Sequence, residues 1–139
     1  MKKNILGLTI LCFLNSFVGQ SVLPQKVISK IIVFYVPKGK VSYIGVSEGS
    51  IRTISNSTKY EILDINCLNE IQKKIEKLKK LTTTHTMRSI YMLCEIFYEN
   101  SSSKVLSFEE ATSGSIKMGN KIFMNSGDLE SWLIACKQK

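Results

Sequence analysis

Arg88-Ser-Ile-Tyr-Met-Leu-Cys-Glu-Ile-Phe-Tyr-Glu99 is the longest run of strand-forming residues beyond the first twenty positions. Aromatic and branched side chains fill it, and neither Gly nor Pro interrupts it. Strand side chains alternate, so one face reads Ile90, Met92, Cys94, Ile96, Tyr98 and the other Tyr91, Leu93, Glu95, Phe97, Glu99. The first face is apolar up to its tyrosine, and the second is mixed. A central strand with helices on one face and a partly wet second face has this composition.

Working outward, Asn100-Ser-Ser-Ser103 turns the chain and Lys104-Val-Leu-Ser-Phe108 returns. With Ser101 to Ser103 as the loop, Tyr98 faces Leu106 and Ile96 faces Phe108. A two-residue loop would instead set Ile96 against Ser107 and Cys94 against Glu109, so burial favours the odd-numbered loop. Further on, Ile116-Lys-Met118 and Lys121-Ile-Phe-Met124 flank Gly119-Asn120, a two-residue hairpin signal. A final helix is expected from near Ser126, with Leu129, Trp132, Leu133 and Cys136 as its buried stripe.

Upstream, Ile31-Ile-Val-Phe-Tyr-Val36 is a nearly continuous strand run, followed by turn residues Pro37-Lys-Gly-Lys40 and a return strand at Val41–Val46. Ile51 to Ile54 reads equally well as a short strand or a helical turn, and Lys59 to Leu63 as a strand. Ile65, Leu68, Ile71, Ile75 and Leu78 then recur at three- and four-residue steps, which predicts an amphipathic helix. Asp64 or Asn66 can cap it, and Glu70/Lys74 and Glu76/Lys80 stand four apart on its wet side. These elements predict an α+β fold: an antiparallel sheet of about five to six strands with two amphipathic helices packed on one face.

Residues 1–20 have the three parts of a signal peptide: Met1-Lys-Lys-Asn4 is basic, Ile5 to Leu14 is apolar, and Asn15 onward is polar and small. The apolar part is well short of the roughly 20 residues a membrane span needs. The remainder, 21–139, is expected to form a single α+β domain, exported to the periplasm or secreted. The net charge of +8 falls to +6 once Lys2 and Lys3 are set aside, a modest excess that reads first as a Lys-rich surface keeping the domain soluble and otherwise as a preference for anionic surfaces, well below what nucleic-acid readers usually carry. The leader ending Phe17-Val-Gly-Gln20, the segment Glu95-Ile-Phe-Tyr98 and the segment Ile116-Lys-Met-Gly-Asn-Lys-Ile-Phe123 together resemble small exported proteins of Bacteroidota-type bacteria with no assigned function. The resemblance implies no active residue.

Three cysteines follow the leader, Cys67, Cys94 and Cys136, and an odd count leaves at least one thiol unpaired. Cys94 points inward from the central strand and Cys136 lies on the last helix's apolar stripe, so a Cys94–Cys136 disulfide is expected. Three buried thiols without a bond are the other reading. His85, the one histidine, forms no compact metal-ligand pair with any cysteine, and neither a metal nor another cofactor is expected. Two arrangements could serve hydrolysis: a Cys–His nucleophile, for which Cys94 is the cysteine near enough to His85 but faces the core, and paired carboxylates among Glu95, Glu99, Glu109 and Glu110, although such residues more often meet solvent or lysines. The lysines from Lys73 to Lys80 read as a solvated helix end or as a patch for an anionic polymer.

Tyr91, Leu93, Phe97 and Val105 form a candidate binding face unless a second layer, such as the hairpin from Ile31 to Val46, covers them. The expected function is a small exported binding domain without catalytic residues. Its partner would be an envelope protein or anionic surface, with no nucleic acid and no membrane span once the leader is removed. A small envelope hydrolase using Glu95 and Glu99, and an inhibitor or immunity-type protein, are the alternatives.

Overall fold

The computed structural model describes residues 25–39, 45–82, 89–110 and 114–138. The leader, most of the return strand expected at Val41–Val46, His85 and Arg88 lie outside the described residues. Six strands are described: β1 (Ile28–Tyr35), β2 (Thr58–Ile62), β3 (Ile90–Tyr98), β4 (Ser103–Glu109), β5 (Ser115–Met118) and β6 (Lys121–Met124). They pair antiparallel in the order β2-β1-β3-β4-β5-β6. Helices α1 (Ile65–Glu76) and α2 (Asp128–Ala135) pack on one face of this sheet, and a 3₁₀ turn, Cys136–Gln138, follows α2. The α+β architecture is therefore the one the hydrophobic pattern implies. Among the described residues no helix is long and apolar enough to cross a membrane.

β3 is the central strand, pairing with β1 on one side and β4 on the other. Met92, Cys94, Ile96 and Tyr98 face the helices as expected, but Ile90 and Tyr91 have exchanged sides. Ile90 is opposite Glu109 and Met92 is opposite Phe108, so two steps on β3 match one on β4. This β-bulge turns Tyr91 into the main core and Ile90 to the second face. The β3–β4 turn also differs from expectation. Cys94 faces Leu106 and Met92 faces Phe108, a register that places the turn at Glu99-Asn-Ser101. Its odd length, and hence the meeting of apolar with apolar, is as expected. The turn slides by two residues because Asn100 Oδ1 accepts from Ser102 N (3.1 Å), while Ser101 takes the left-handed conformation (φ 62°).

Asp64 is the α1 cap, its Oδ1 accepting from Cys67 N at 2.8 Å. At about 100° per residue, Cys67, Leu68, Ile71, Ile75 and Leu78 fall within an arc of roughly 100°, and Ile65 lies about 60° beyond it. Ile65 is accordingly exposed, although the step pattern had placed it on the apolar stripe. The ion pairs also rearrange. Glu70 takes Lys73 (2.7 Å), Lys74 reaches Asp128 of α2 (2.7 Å), and Glu76 accepts from Gln25 and Gln72. On α2, Leu129 and Leu133 are buried as expected, as is Cys136 in the turn that follows, whereas Trp132 is only half-buried.

The disulfide joins Cys67 to Cys136, not Cys94 to Cys136, and Cys94 is a buried free thiol. Cys67 and Cys136 belong to the same helical layer with Cα atoms 6.1 Å apart, inside the usual bridging range. Cys94 is on the sheet, so a bond from it to Cys136 would have to span the gap between layers.

The second face of the sheet is covered by residues 45–57. Val46 and Ile51 are buried there against Phe34, Val36, Ile90 and Leu93, with Ile54 packed alongside. Ser47 and Ser50 each accept from the other's backbone N, and Ile51 N and Ile54 N bond back to Ser47 O and Ser50 O. These reciprocal caps resolve Ile51–Ile54 as a helical turn.

Candidate functional site

The binding face expected from Tyr91, Leu93, Phe97 and Val105 is not continuous. Tyr91 lies in the helix-side core and Leu93 under the 45–57 cover, both fully buried, while Phe97 and Val105 are half-buried. The bulge removes the first of these residues from the face, and the cover removes the second. The Tyr91 hydroxyl lies near Glu130 and Asn125, but neither makes a hydrogen bond of acceptable geometry with it. Burial, then Glu130, raises the phenol's pKa well above its ordinary range. Lys38 Nζ sits 4.4 Å from the Tyr91 ring centroid and 3.4 Å from Glu130.

Three of the four glutamates considered for hydrolysis serve as ties. Glu95 Oε1 accepts from Arg52 Nε and Nη2, both at 2.7 Å. Glu109 Oε2 accepts from Ser115 Oγ (3.0 Å), and Glu110 Oε1 from Gly39 N (3.2 Å). Glu99 is exposed in the β3–β4 turn, and strand rise separates its Cα from that of Glu95 by about 13 Å.

Glu48, which the sequence does not single out, pins the cover to the sheet. Its Oε1 accepts from Ser107 Oγ (2.7 Å) and Lys117 Nζ (3.2 Å), from neighbouring residues on β4 and β5. The Ser107 hydroxyl lowers the Glu48 pKa, burial opposes this, and Lys117 and Arg52 lower it further. A carboxyl depressed in the folded state stabilises above its unfolded pKa and loses that contribution as pH falls through its folded pKa. The increment is below about 1 kcal/mol for so exposed a pair. Glu48→Gln should therefore flatten the acid limb of stability below about pH 4. Urea midpoints measured against pH check this, and an acid limb identical to the parent's would count against the tie.

One cleft combines charge with exposed apolar surface. It encloses ≈ 250 Å³ between the end of α1, the segment after it, β6 and the start of α2. Lys73, Lys74, Lys77 and Lys79 line it against Glu70 and Asp128, leaving a local excess of two positive charges. Leu78, Met124 and Leu129 form its apolar part, and Met124 is 49% exposed. Lys73 and Lys74 are held by Glu70 and Asp128, and Lys74 also lies 5.4 Å from the Trp132 ring centroid. Lys77 and Lys79 make no ion pair among the described residues. The post-helix segment fixes them beside β6: Met124 N donates to Lys79 O (2.9 Å) and Leu81 N to Ile122 O (2.8 Å). The lysine run is visible in the sequence, but its pairing with Met124 depends on this long-range contact. No protein-family model, curated protein or solved structure matches the chain.

Proposed function

We propose that the chain is a small exported binding domain, without catalytic residues, that engages an anionic surface through the α1–α2 lysine cleft. The carrying observation is the placement of Lys77 and Lys79 on either side of Leu78 and next to exposed Met124. Two uncommitted ammonium groups around an apolar patch suit a ligand with both negative charge and hydrocarbon, the chemistry of an anionic lipid headgroup region. Export rests on the leader at residues 1–20, and a buried Cys67–Cys136 bridge is in keeping with an oxidising compartment.

Vesicle co-sedimentation tests the reading. Binding should require anionic lipid and should weaken as ionic strength rises from about 0.01 M to about 0.15 M, which shortens the Debye length from roughly 30 Å to roughly 8 Å. Lys77→Gln/Lys79→Gln should cost about 2 kcal/mol, roughly thirtyfold in affinity. Both side chains are exposed, so the fold should persist. Equal binding to zwitterionic vesicles, or a double variant that binds like the parent, would overturn the proposal.

A further inference from the structure

The two ends of the sheet are treated differently. At β6, residues 79–81 bond to the outer strand through Lys79 O and Leu81 N, and Lys80 bridges Phe123. At β2, the other outer strand, no backbone bond reaches the outward side among the described residues. Such an edge is a template for another strand unless its side chains repel one. The side chains of β2, Thr58-Lys-Tyr-Glu-Ile62, do not repel a second copy. Tyr60 and Ile62 pack toward the helices, whereas Lys59 and Glu61 are exposed on the opposite face. Glu61 has no ion pair among the described residues, and Lys59 lies 5.9 Å from the Phe34 ring centroid. One cation and one anion two residues apart form a self-complementary pattern.

We propose that β2 is a homodimer interface, in which two copies pair their β2 strands antiparallel about a twofold axis through Tyr60. This interface is independent of the lysine cleft. A twofold axis perpendicular to the sheet keeps both helical layers on the same side, so directly opposed residues must face the same way. That condition confines the axis to a residue, and charge selects which one. With the axis on Tyr60, all five strand residues find partners and Lys59 faces Glu61 of the other copy twice over. Moved to Lys59 it would oppose two lysines, and moved to Glu61 two glutamates, arrangements that destabilise a ladder. On the axis Tyr60 meets its own symmetry mate. Leu63, 63% exposed just past the strand, then lies opposite the Ser57 end of the other copy.

Sedimentation velocity over a concentration series tests this directly. The parent protein should show a reversible monomer–dimer equilibrium. Lys59→Glu and Glu61→Lys should each weaken self-association at least tenfold, because like charges then oppose one another. Mixed together, the two variants should form heterodimers, and the double swap Lys59→Glu/Glu61→Lys should dimerise like the parent. Circular dichroism of each variant confirms that these exposed substitutions leave the fold intact. A parent that stays monomeric throughout would overturn the proposal, as would single variants that dimerise normally or a mixture and double swap that both fail to restore association.

Discussion

Loss of the Cys67–Cys136 bridge is expected to be the most damaging single change to this protein, at about 4 kcal/mol. The two cysteines are 69 residues apart, and the figure is the chain entropy that a loop of that length regains on unfolding. Domains of this size have only about 5–15 kcal/mol of stability, so the reduced protein should sit near its unfolding threshold. Denaturant titration of Cys67→Ala/Cys136→Ala against the parent measures the loss. Alkylation tests the pairing itself. Cys94 is buried and its thiol pKa is raised by desolvation, so it should resist labelling in the native state. In denaturant without reductant it should label, while Cys67 and Cys136 stay protected. Labelling of Cys67 with protection of Cys94 would instead point to the bond between sheet and helix.

Leu93→Ala should cost about 3 kcal/mol, because it opens a cavity between the sheet and its cover. Leu93 is fully buried between the sheet and the 45–57 cover, against Phe34, Val46 and Ile51. Val105→Thr, on the same face but half-buried, should cost under about 1 kcal/mol. Thermal melts would show the contrast as a drop of about 10 °C for the first and little change for the second. A loss at Leu93 no larger than at Val105 would mean that the cover does not pack against the sheet in solution.

The parts of the fold legible in the sequence are those governed by local chemistry. Asp64 announces α1 because a carboxylate before an apolar stripe has one obvious use. Gly119-Asn120 announces the last hairpin, and Gly119 supplies its positive φ of 62°. Turn parity after Tyr98 is legible because a wrong parity buries Glu109 against Cys94. The bulge at Tyr91 is not legible: Ile90 and Tyr91 are equally good strand residues, and strict alternation gives no warning of a missed step. Three- and four-residue steps alone put Ile65 on the apolar stripe, whereas accumulated angle sets it outside the arc centred near Ile71. The cover escaped notice because Ser47-Glu-Gly-Ser50 looks like a pattern breaker, while its caps become visible only once the two serines face each other. The lysine cleft is half legible: the cations come from one run, but Met124 and Asp128 are brought in from another part of the chain.

The pairing of β1 with the central strand β3 has a kinetic consequence. Ile31 pairs with Ile96, so the β1–β3 ladder joins residues separated by nearly half the chain. Closing so long a loop before any contact repays it makes the folding barrier high and the search slow. β1 emerges early from the ribosome and can pair with β2, but its ladder with β3 cannot form until residues 90–98 have followed.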